Sequence, residues 1–302
     1  MKNGLALLAL RSAMLLCCLH SSQGGAIGSA PQIRRVTIES ADGPSAEEAA
    51  EAGAALREDG VVVLRCSALE ALAPPLDNAK GILASMLARV SKTGLDRDQR
   101  FSFAEICHRA PRRYDVHLGA GTSQSEFSML VNSLCRPVIS ECMGSESSAP
   151  SDDSIRIIRD GLVTSLPGAS AQPFHADGRA AGLFNAFLPL VAVRTQGTEF
   201  WVSSHIDDDH SKAARLKADD ETGEYIGETL LDDDGIAPCI CSPTLSRAEG
   251  IVLFDYRVIH RGRAHGSHEV GVRPMFYRVF AIGDVAEDVH NWPERSLADL
   301  GG

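Results

Sequence analysis

Gln172-Pro173-Phe174-His175-Ala176-Asp177 sets an imidazole and a carboxylate two residues apart in a strand-like segment. Alternate side chains of an extended chain share a face, so His175 and Asp177 are expected side by side. The chain has 10 histidines, and His260 stands out because it follows the apolar run Ile251-Val252-Leu253-Phe254 and precedes Arg273 by 13 residues. An imidazole from that distant strand completes two His and one carboxylate on one face of a metal ion. Such a set leaves coordination positions open and suits an oxygen-activating Fe(II) centre. His205, His265 and His268 are rivals for the third position. His205 ends Trp201-Val202-Ser203-Ser204-His205, where a structural or substrate role is expected. Structural hydrogen bonding accounts for His20, His108, His117, His210 and His290.

Arg273 gives the pattern its direction. With its side chain inward, Met275, Tyr277 and Val279 share its face, while Val272, Phe276 and Phe280 turn towards a helical layer. A guanidinium inside a barrel calls for an anion, because an unpaired buried charge is costly. An acid on a neighbouring strand meets that need. So does the distal carboxylate of 2-oxoglutarate, which the planar fork grips with two parallel hydrogen bonds.

Around these residues the chain changes grammar. Ser45 to Arg57 is rich in helix formers and opens with a Ser and early Glu residues, a capping arrangement. Asp59-Gly60 ends it, and Val61-Val62-Val63-Leu64 reads as a buried strand. Leu69 to Val90 suggests one or two helices with a boundary at Pro74-Pro75, and Ser125 to Met143 spaces its apolar residues as an amphipathic helix. From Ser154 onward, short strands are expected at Ile155–Ser165, Ala171–Ala176, Leu183–Val193, Glu199–Val202, Gly250–Phe254, Val258–Arg261 and Val272–Ile282. Helices followed by many short strands predict an α+β, mainly β protein: an antiparallel double-sheet barrel with helices packed on one sheet. Ser145 to Asp153 reads as a polar loop. Ile206 to Gly235 carries three acidic clusters and reads as a solvated loop without the ligand register of a calcium site.

Composition narrows the function. The 302 residues are 44% hydrophobic and 23% charged, with a net charge of −11. That balance suits a globular domain with a substantial core and disfavours a phosphate-binding groove. A small-molecule substrate is expected, with no nucleic-acid partner and no stable membrane insertion. Residues 1–25 combine Lys2, an apolar run from Leu5 to Leu19 interrupted by Arg11, and a small-residue exit, the order of a secretory signal, while the Arg-bearing, acid-free leader also suits organelle import. An organelle transit peptide and an uncleaved anchor are the alternatives, so the expected location is the secretory pathway or outside the cell, or else an organelle. Residues 26–44 read as a linker and 45–302 as one domain. Of 8 cysteines, Cys66, Cys107, Cys135, Cys142, Cys239 and Cys241 lie beyond the leader, and buried or bridged structural roles are expected for them.

Taken together, these motifs resemble the phytanoyl-CoA dioxygenase family of Fe(II)- and 2-oxoglutarate-dependent oxygenases. The matching stretches are Pro167-Gly168-Ala169 through Gln172 to His175-Ala176-Asp177-Gly178, then Gly197-Thr198-Glu199-Phe200-Trp201 to His205. They continue with Gly250 to Arg257, His260-Arg261-Gly262 and Arg273-Pro274, with Asp59-Gly60-Val61-Val62-Val63-Leu64 at the front and Asn291-Trp292-Pro293-Glu294 near the end. The resemblance implies a double-stranded β-helix (jelly-roll, cupin-like). It implies iron held by His175, Asp177 and His260, 2-oxoglutarate salt-bridged to Arg273, and O₂-dependent hydroxylation of a small organic molecule with release of succinate and CO₂. Retention of Asp177 favours hydroxylation over halogenation, for which related enzymes carry a small residue there. The chain departs from the pattern at Ser203-Ser204-His205, where a Pro-Gly-Ser-His turn is usual. It departs again at Gly262, where several relatives carry a hydroxyl that helps hold the cosubstrate. A peptidyl or protein hydroxylase of the secretory pathway and a non-catalytic binding protein on the same barrel are the alternative functions; the first commonly uses Lys in place of Arg273. Gln172 and Asn185 are candidate pocket residues, with structural hydrogen bonding as the other role for each. The stretch His108 to Asp115 is expected either to lean over the pocket mouth or to form a salt-bridge cluster.

Overall fold

A computed structural model describes residues 32–96, 99–118, 125–144, 154–193, 197–206, 239–266, 271–286 and 295–300. The leader, the 145–153 loop, the acidic clusters from Asp207 onward, His210, His268, His290 and Asn291 to Glu294 lie outside the described residues.

Among the described residues, eleven strands and four α-helices follow in the order β1 (Arg35–Thr37), α1 (Ala46–Asp59), β2 (Val61–Arg65), α2 (Ala68–Leu72), α3 (Leu76–Lys92), β3 (Ile106–Ala110), β4 (Arg113–His117), α4 (Glu126–Met143), β5 (Ile155–Ser165), β6 (Leu183–Pro189), β7 (Thr198–Trp201), β8 (Ile240–Cys241), β9 (Gly250–Asp255), β10 (His260–Gly262) and β11 (Arg273–Ile282). Eight form one sheet in the order β1-β2-β9-β6-β11-β5-β4-β3, and three form a second, β10-β7-β8. The ladders run antiparallel except β1 against β2. The chain is mainly β with helices, as expected.

Period-2 alternation divides the large sheet between two cores. Val62 and Leu64 of β2, Ile251 and Leu253 of β9, and Phe276 and Phe280 of β11 pack with helical residues such as Leu56, Leu83 and Leu134. Val61 and Val63, Val252 and Phe254, and Tyr277 and Val279 turn the other way and pack with Phe200 and Cys241 of the small sheet. A strand buried on both faces reads as a continuous apolar run, which is why Val61 to Leu64 shows no alternation of its own.

The helices begin and end where local chemistry dictates. Ser45 Oγ accepts from Glu48 N at 3.3 Å, and Glu48 Oε2 accepts from Ser45 N at 2.6 Å, closing a capping box on α1. Gly60 ends α1 at φ +74°, and its N–H donates to Leu56 O at 2.9 Å. A Cβ on Gly60 would stand 2.4 Å from His205 Nδ1, so both conformation and space require glycine. Pro74-Pro75 separates α2 from α3, and Ser125 caps α4.

Three expectations need correction. Residues 26–44 are not wholly linker: from Ile33 onward the chain clusters as one compact unit, β1 joins the large sheet, and Val36 and Ile38 are core. Ala171 to Ala176 forms no regular strand. Gln172 N donates to Gly262 O, and His175 exchanges two bonds with His260, so three residues on one side span two on the other. Pro173, which has no N–H, falls in that excess. Third, the His108–Asp115 stretch, in which no strand was expected, belongs largely to β3 and β4, and within that hairpin Arg109 pairs with Asp115 as the salt-bridge alternative has it. The six non-leader cysteines are free thiols, five of them buried. No helix among the described residues is long and apolar enough to cross a membrane.

Candidate metal centre and the adjoining guanidiniums

His175 and Asp177 come from the irregular segment beside β10, and His260 opens β10 itself. His175 Nε2 stands 3.8 Å from Asp177 Oδ1, and His260 Nε2 stands 3.7 Å from Asp177 Oδ2. One ligand atom from each of the three residues lies within 4.8 Å of the others.

The imidazoles are held in the form a cation needs. His175 Nδ1 faces Pro173 O at 2.9 Å, and His260 Nδ1 faces Val258 O at 2.9 Å. A carbonyl oxygen only accepts, so each Nδ1 carries a proton, and Nε2 is the nitrogen each ring turns to the cavity as a ligand atom. Desolvation, and then the neighbouring His260, hold the His175 imidazole below its ordinary pKa of 6.5, against the pull of Asp177. Metal ligation requires this neutral form. Phe187, Phe200 and Phe254 surround the His260 ring with centroids 6.3, 5.8 and 5.0 Å away, which fixes its plane. Asn185 Nδ2, on β6, donates to Asp177 Oδ2 at 2.5 Å and orients the carboxylate. Two imidazole nitrogens and one oriented carboxylate on one wall fit a divalent transition metal.

The cavity encloses about 910 Å³ of empty space, counting its open mouth, within the range of small-molecule sites. Gln172 and Asn185 both line it, and Gln172 Oε1 accepts a structural hydrogen bond from Gly262 N at 3.1 Å. Met275, Tyr277 and Val279 of β11 line it too. The hairpin supplies the side wall, not a lid. Arg109 Nη2 pairs with Asp115 Oδ2 at 2.9 Å, and Arg159 stands nearby. Burial pushes the Asp115 carboxyl up, opposed by Arg109, and burial together with Asp115 pushes the Tyr277 phenol well above 10.

Arg273 lines an adjoining lobe rather than the metal cavity itself, and the two spaces share Arg113, Val163, Phe187, Thr198 and Met275 as walls. Arg273 Nη2 donates to Arg263 O at 2.8 Å, and Nη1 to Ala264 O at 3.4 Å. Arg113, read from sequence only as one member of the His108–Asp115 stretch, is buried on β4 at the junction of the two spaces. The alternation Arg113-Tyr114-Asp115-Val116-His117 was the available signal. It places Arg113 and Asp115 on one face and Tyr114 and Val116 in the helical core.

The two rival histidines among the described residues, His205 and His265, make other bonds. His205 Nε2 faces Arg57 O at 3.1 Å at the end of α1, and His265 Nδ1 faces Ser165 O at 3.1 Å. Under the metal wall, Arg261 pairs with Glu199 at 2.6 Å and stacks on Phe174 at 4.5 Å, bracing the segment that carries His175.

No family model and no curated protein sequence matches the chain. Solved structures do. The epimerase SnoN, in complex with Fe3+, alpha ketoglutarate and nogalamycin RO, is 14% identical at a TM-score of 0.48, over 85% of this chain and 91% of its own. HygX from Streptomyces hygroscopicus, with nickel, 2-oxoglutarate and hygromycin B bound, is 13% identical at 0.45, over 83% and 94%. AviO1 from Streptomyces viridochromogenes Tue57 is 18% identical at 0.49, over 80% and 97%. At this level of likeness, the function of the chain is read from its own side chains.

Proposed function

We propose that this chain is an Fe(II)- and 2-oxoglutarate-dependent dioxygenase of the phytanoyl-CoA dioxygenase type, built on a double-stranded β-helix, that hydroxylates a small organic molecule. The observation that carries this reading is the convergence of His175, Asp177 and His260 on one cavity, with Arg113 on the wall it shares with an adjoining lobe that Arg273 lines. The balance is substrate C–H plus 2-oxoglutarate plus O₂, giving substrate C–OH, succinate and CO₂. Iron bound there supplies the open coordination positions and the redox chemistry.

The chain's own residues supply geometry. His175 and His260 offer Nε2 because main-chain carbonyls hold the Nδ1 protons. Asp177 offers a carboxylate steadied by Asn185. Arg273 serves the distal carboxylate of the cosubstrate. Phe187, Val279 and Met275 exclude water from the inner cavity, while Arg109, Asp115 and Tyr277 set a polar wall against which a substrate bearing hydrogen-bonding groups is oriented. The leader is proposed to send the protein into the secretory pathway; N-terminal sequencing of protein recovered from the medium of expressing cells tests this.

The test of the main reading is anaerobic loading with Fe(II), followed by 2-oxoglutarate, isotopic O₂ and a metabolite panel. Succinate and a labelled hydroxylated product in equal amounts are expected. Iron-loaded protein that forms no succinate across the panel overturns the reading.

A further inference from the structure

Cys239 and Cys241 lie two residues apart where the chain enters β8, and their Sγ atoms stand 3.8 Å from one another. Residues at that spacing in an extended chain share a face, here the one turned to the core between the two sheets. The two thiols differ in access. Cys241 is 6% exposed, whereas Cys239 is only half-buried. One sulfur of the pair is therefore open to a small reagent, and the other waits beside it inside. Neither thiol has a part in the metal centre described above.

Strand register adds an independent observation. In the small sheet His260 of β10 is paired with Phe200 of β7, and Phe200 in turn with Cys241 of β8. Directly opposed residues of an antiparallel ladder project to the same side, about 5 Å apart. The imidazole, the phenyl ring and the thiol thus form one row across the three strands. Phe200 is fully buried, and its ring stacks on that of His260 with centroids 5.8 Å apart. It packs in the same core cluster as Cys241. A close-packed ring between a thiol and a metal-binding imidazole passes on a shift of either one.

We propose that Cys239 and Cys241 are an oxidisable dithiol, closed to a disulfide by a low-molecular-weight disulfide, and that its state is felt at His260 through Phe200. The Cys239 thiolate attacks one sulfur of the small disulfide, and the first small thiol leaves, taking up the proton that Cys239 gave. The Cys241 thiolate then attacks Cys239 Sγ, and the second small thiol leaves with the other proton. The protein pair loses two electrons and the small disulfide gains them. Closure brings the sulfurs from 3.8 Å to about 2.0 Å, which draws Cys241 towards Cys239 and away from Phe200. With that support withdrawn, His260 is held less firmly and a metal ion binds more weakly. The oxidation needs no metal; the coupling rests on His260 being a ligand, as in the dioxygenase reading above.

The test equilibrates the full chain in glutathione redox buffers with and without Mn(II), alkylates the remaining thiols and maps the peptides by mass. A peptide that holds both Cys239 and Cys241, unalkylated and lighter by two hydrogens, is expected. After desalting, calorimetry is expected to show Mn(II) affinity lowered by about 2- to 30-fold in the oxidised protein. By linkage, Mn(II) shifts the mapped equilibrium towards the dithiol by the same factor. Cys239→Ser, checked by thermal melting, is expected to bind Mn(II) as the reduced wild type does in every buffer. Both cysteines alkylated in the most oxidising buffer, or a glutathione adduct that persists on Cys239, overturns the dithiol. A bridge that leaves Mn(II) affinity unchanged overturns the coupling to His260. Protein that binds no Mn(II) in either state overturns the metal-centre reading and the coupling with it, while the peptide map still decides the bridge.

Discussion

A single hydrogen bond decides how each metal-binding imidazole is used. Because Pro173 O and Val258 O can only accept, both Nδ1 atoms are donors, and the ring nitrogens left for the cavity are the Nε2 atoms. Replacing His175, Asp177 or His260 by Ala removes one ligand of three, and each variant is expected to lose stoichiometric iron on metal analysis after desalting. Retention of one iron per chain by any of them contradicts that residue's role. Asn185→Ala removes only the orientation of Asp177, so a milder loss is expected, about 10- to 100-fold in Fe(II) or Mn(II) affinity. Titration calorimetry distinguishes the two classes of effect. Arg273→Ala is expected to raise the 2-oxoglutarate concentration needed for half-maximal turnover at least about tenfold, with little change in metal affinity.

Helices and strands hold these side chains through a few buried polar ties. On β11, Arg278 faces the helical layer, where it forks onto Asp160 of β5 at 2.6 and 2.7 Å and donates to Ser128 and Asn132 of α4. Breaking a buried pair strands the other charge, so Arg278→Met is expected to cost about 3–5 kcal/mol in urea unfolding. Adding Asp160→Leu is expected to recover much of that loss. A cost as large in the double variant would mean that the carbonyl and side-chain bonds to α4 matter more than the ion pair. His205 ties the end of α1 to the small sheet, and burial holds its imidazole below 6.5. Its folded pKa is therefore the lower one. As pH falls through about 6.5, the unfolded chain takes up a proton that the folded chain does not, and stability is lost. Melting temperature is expected to drop between pH 7.5 and 5.5, and to drop less in His205→Gln. An equal drop in the variant would remove His205 as a source of the acid sensitivity.

In the molecule as a whole, the candidate ion site bridges the layers. His260 belongs to the small sheet, Asn185 and the β11 lining to the large one, and His175 with Asp177 to the segment alongside. A cation bound there fastens the two sheets across their shared core, and binding to the folded state alone adds RT ln(1 + [L]/Kd), about 2.7 kcal/mol at a hundredfold excess over Kd. Mn(II) is therefore expected to raise the melting temperature of the wild type and to leave that of Asp177→Ala unmoved. An equal rise in the variant would locate the stabilising ion elsewhere.

Local order made much of this visible in the linear chain. Ser45 with Glu48 announces α1, Pro74-Pro75 marks the break between α2 and α3, and the alternation of β11 sorts Phe276 and Phe280 from Met275 and Tyr277. Capping and side-chain period act within a few residues, so they can be read without knowing the partner strand. His175, Asp177 and His260 were legible for a related reason: a ligand set is a statement about residue types and spacing. The hairpin of β3 and β4 was not legible, because its polar residues face an internal cavity and look, in one dimension, like a solvated loop. Nor was the meaning of Gly262, whose missing side chain makes room for an arginine 149 positions earlier. Which charges lose their water depends on pairing between distant strands. Arg113 and Arg273 become neighbours only when β4 and β11 flank β5, so desolvation and repulsion there arise from folding and not from any stretch of sequence.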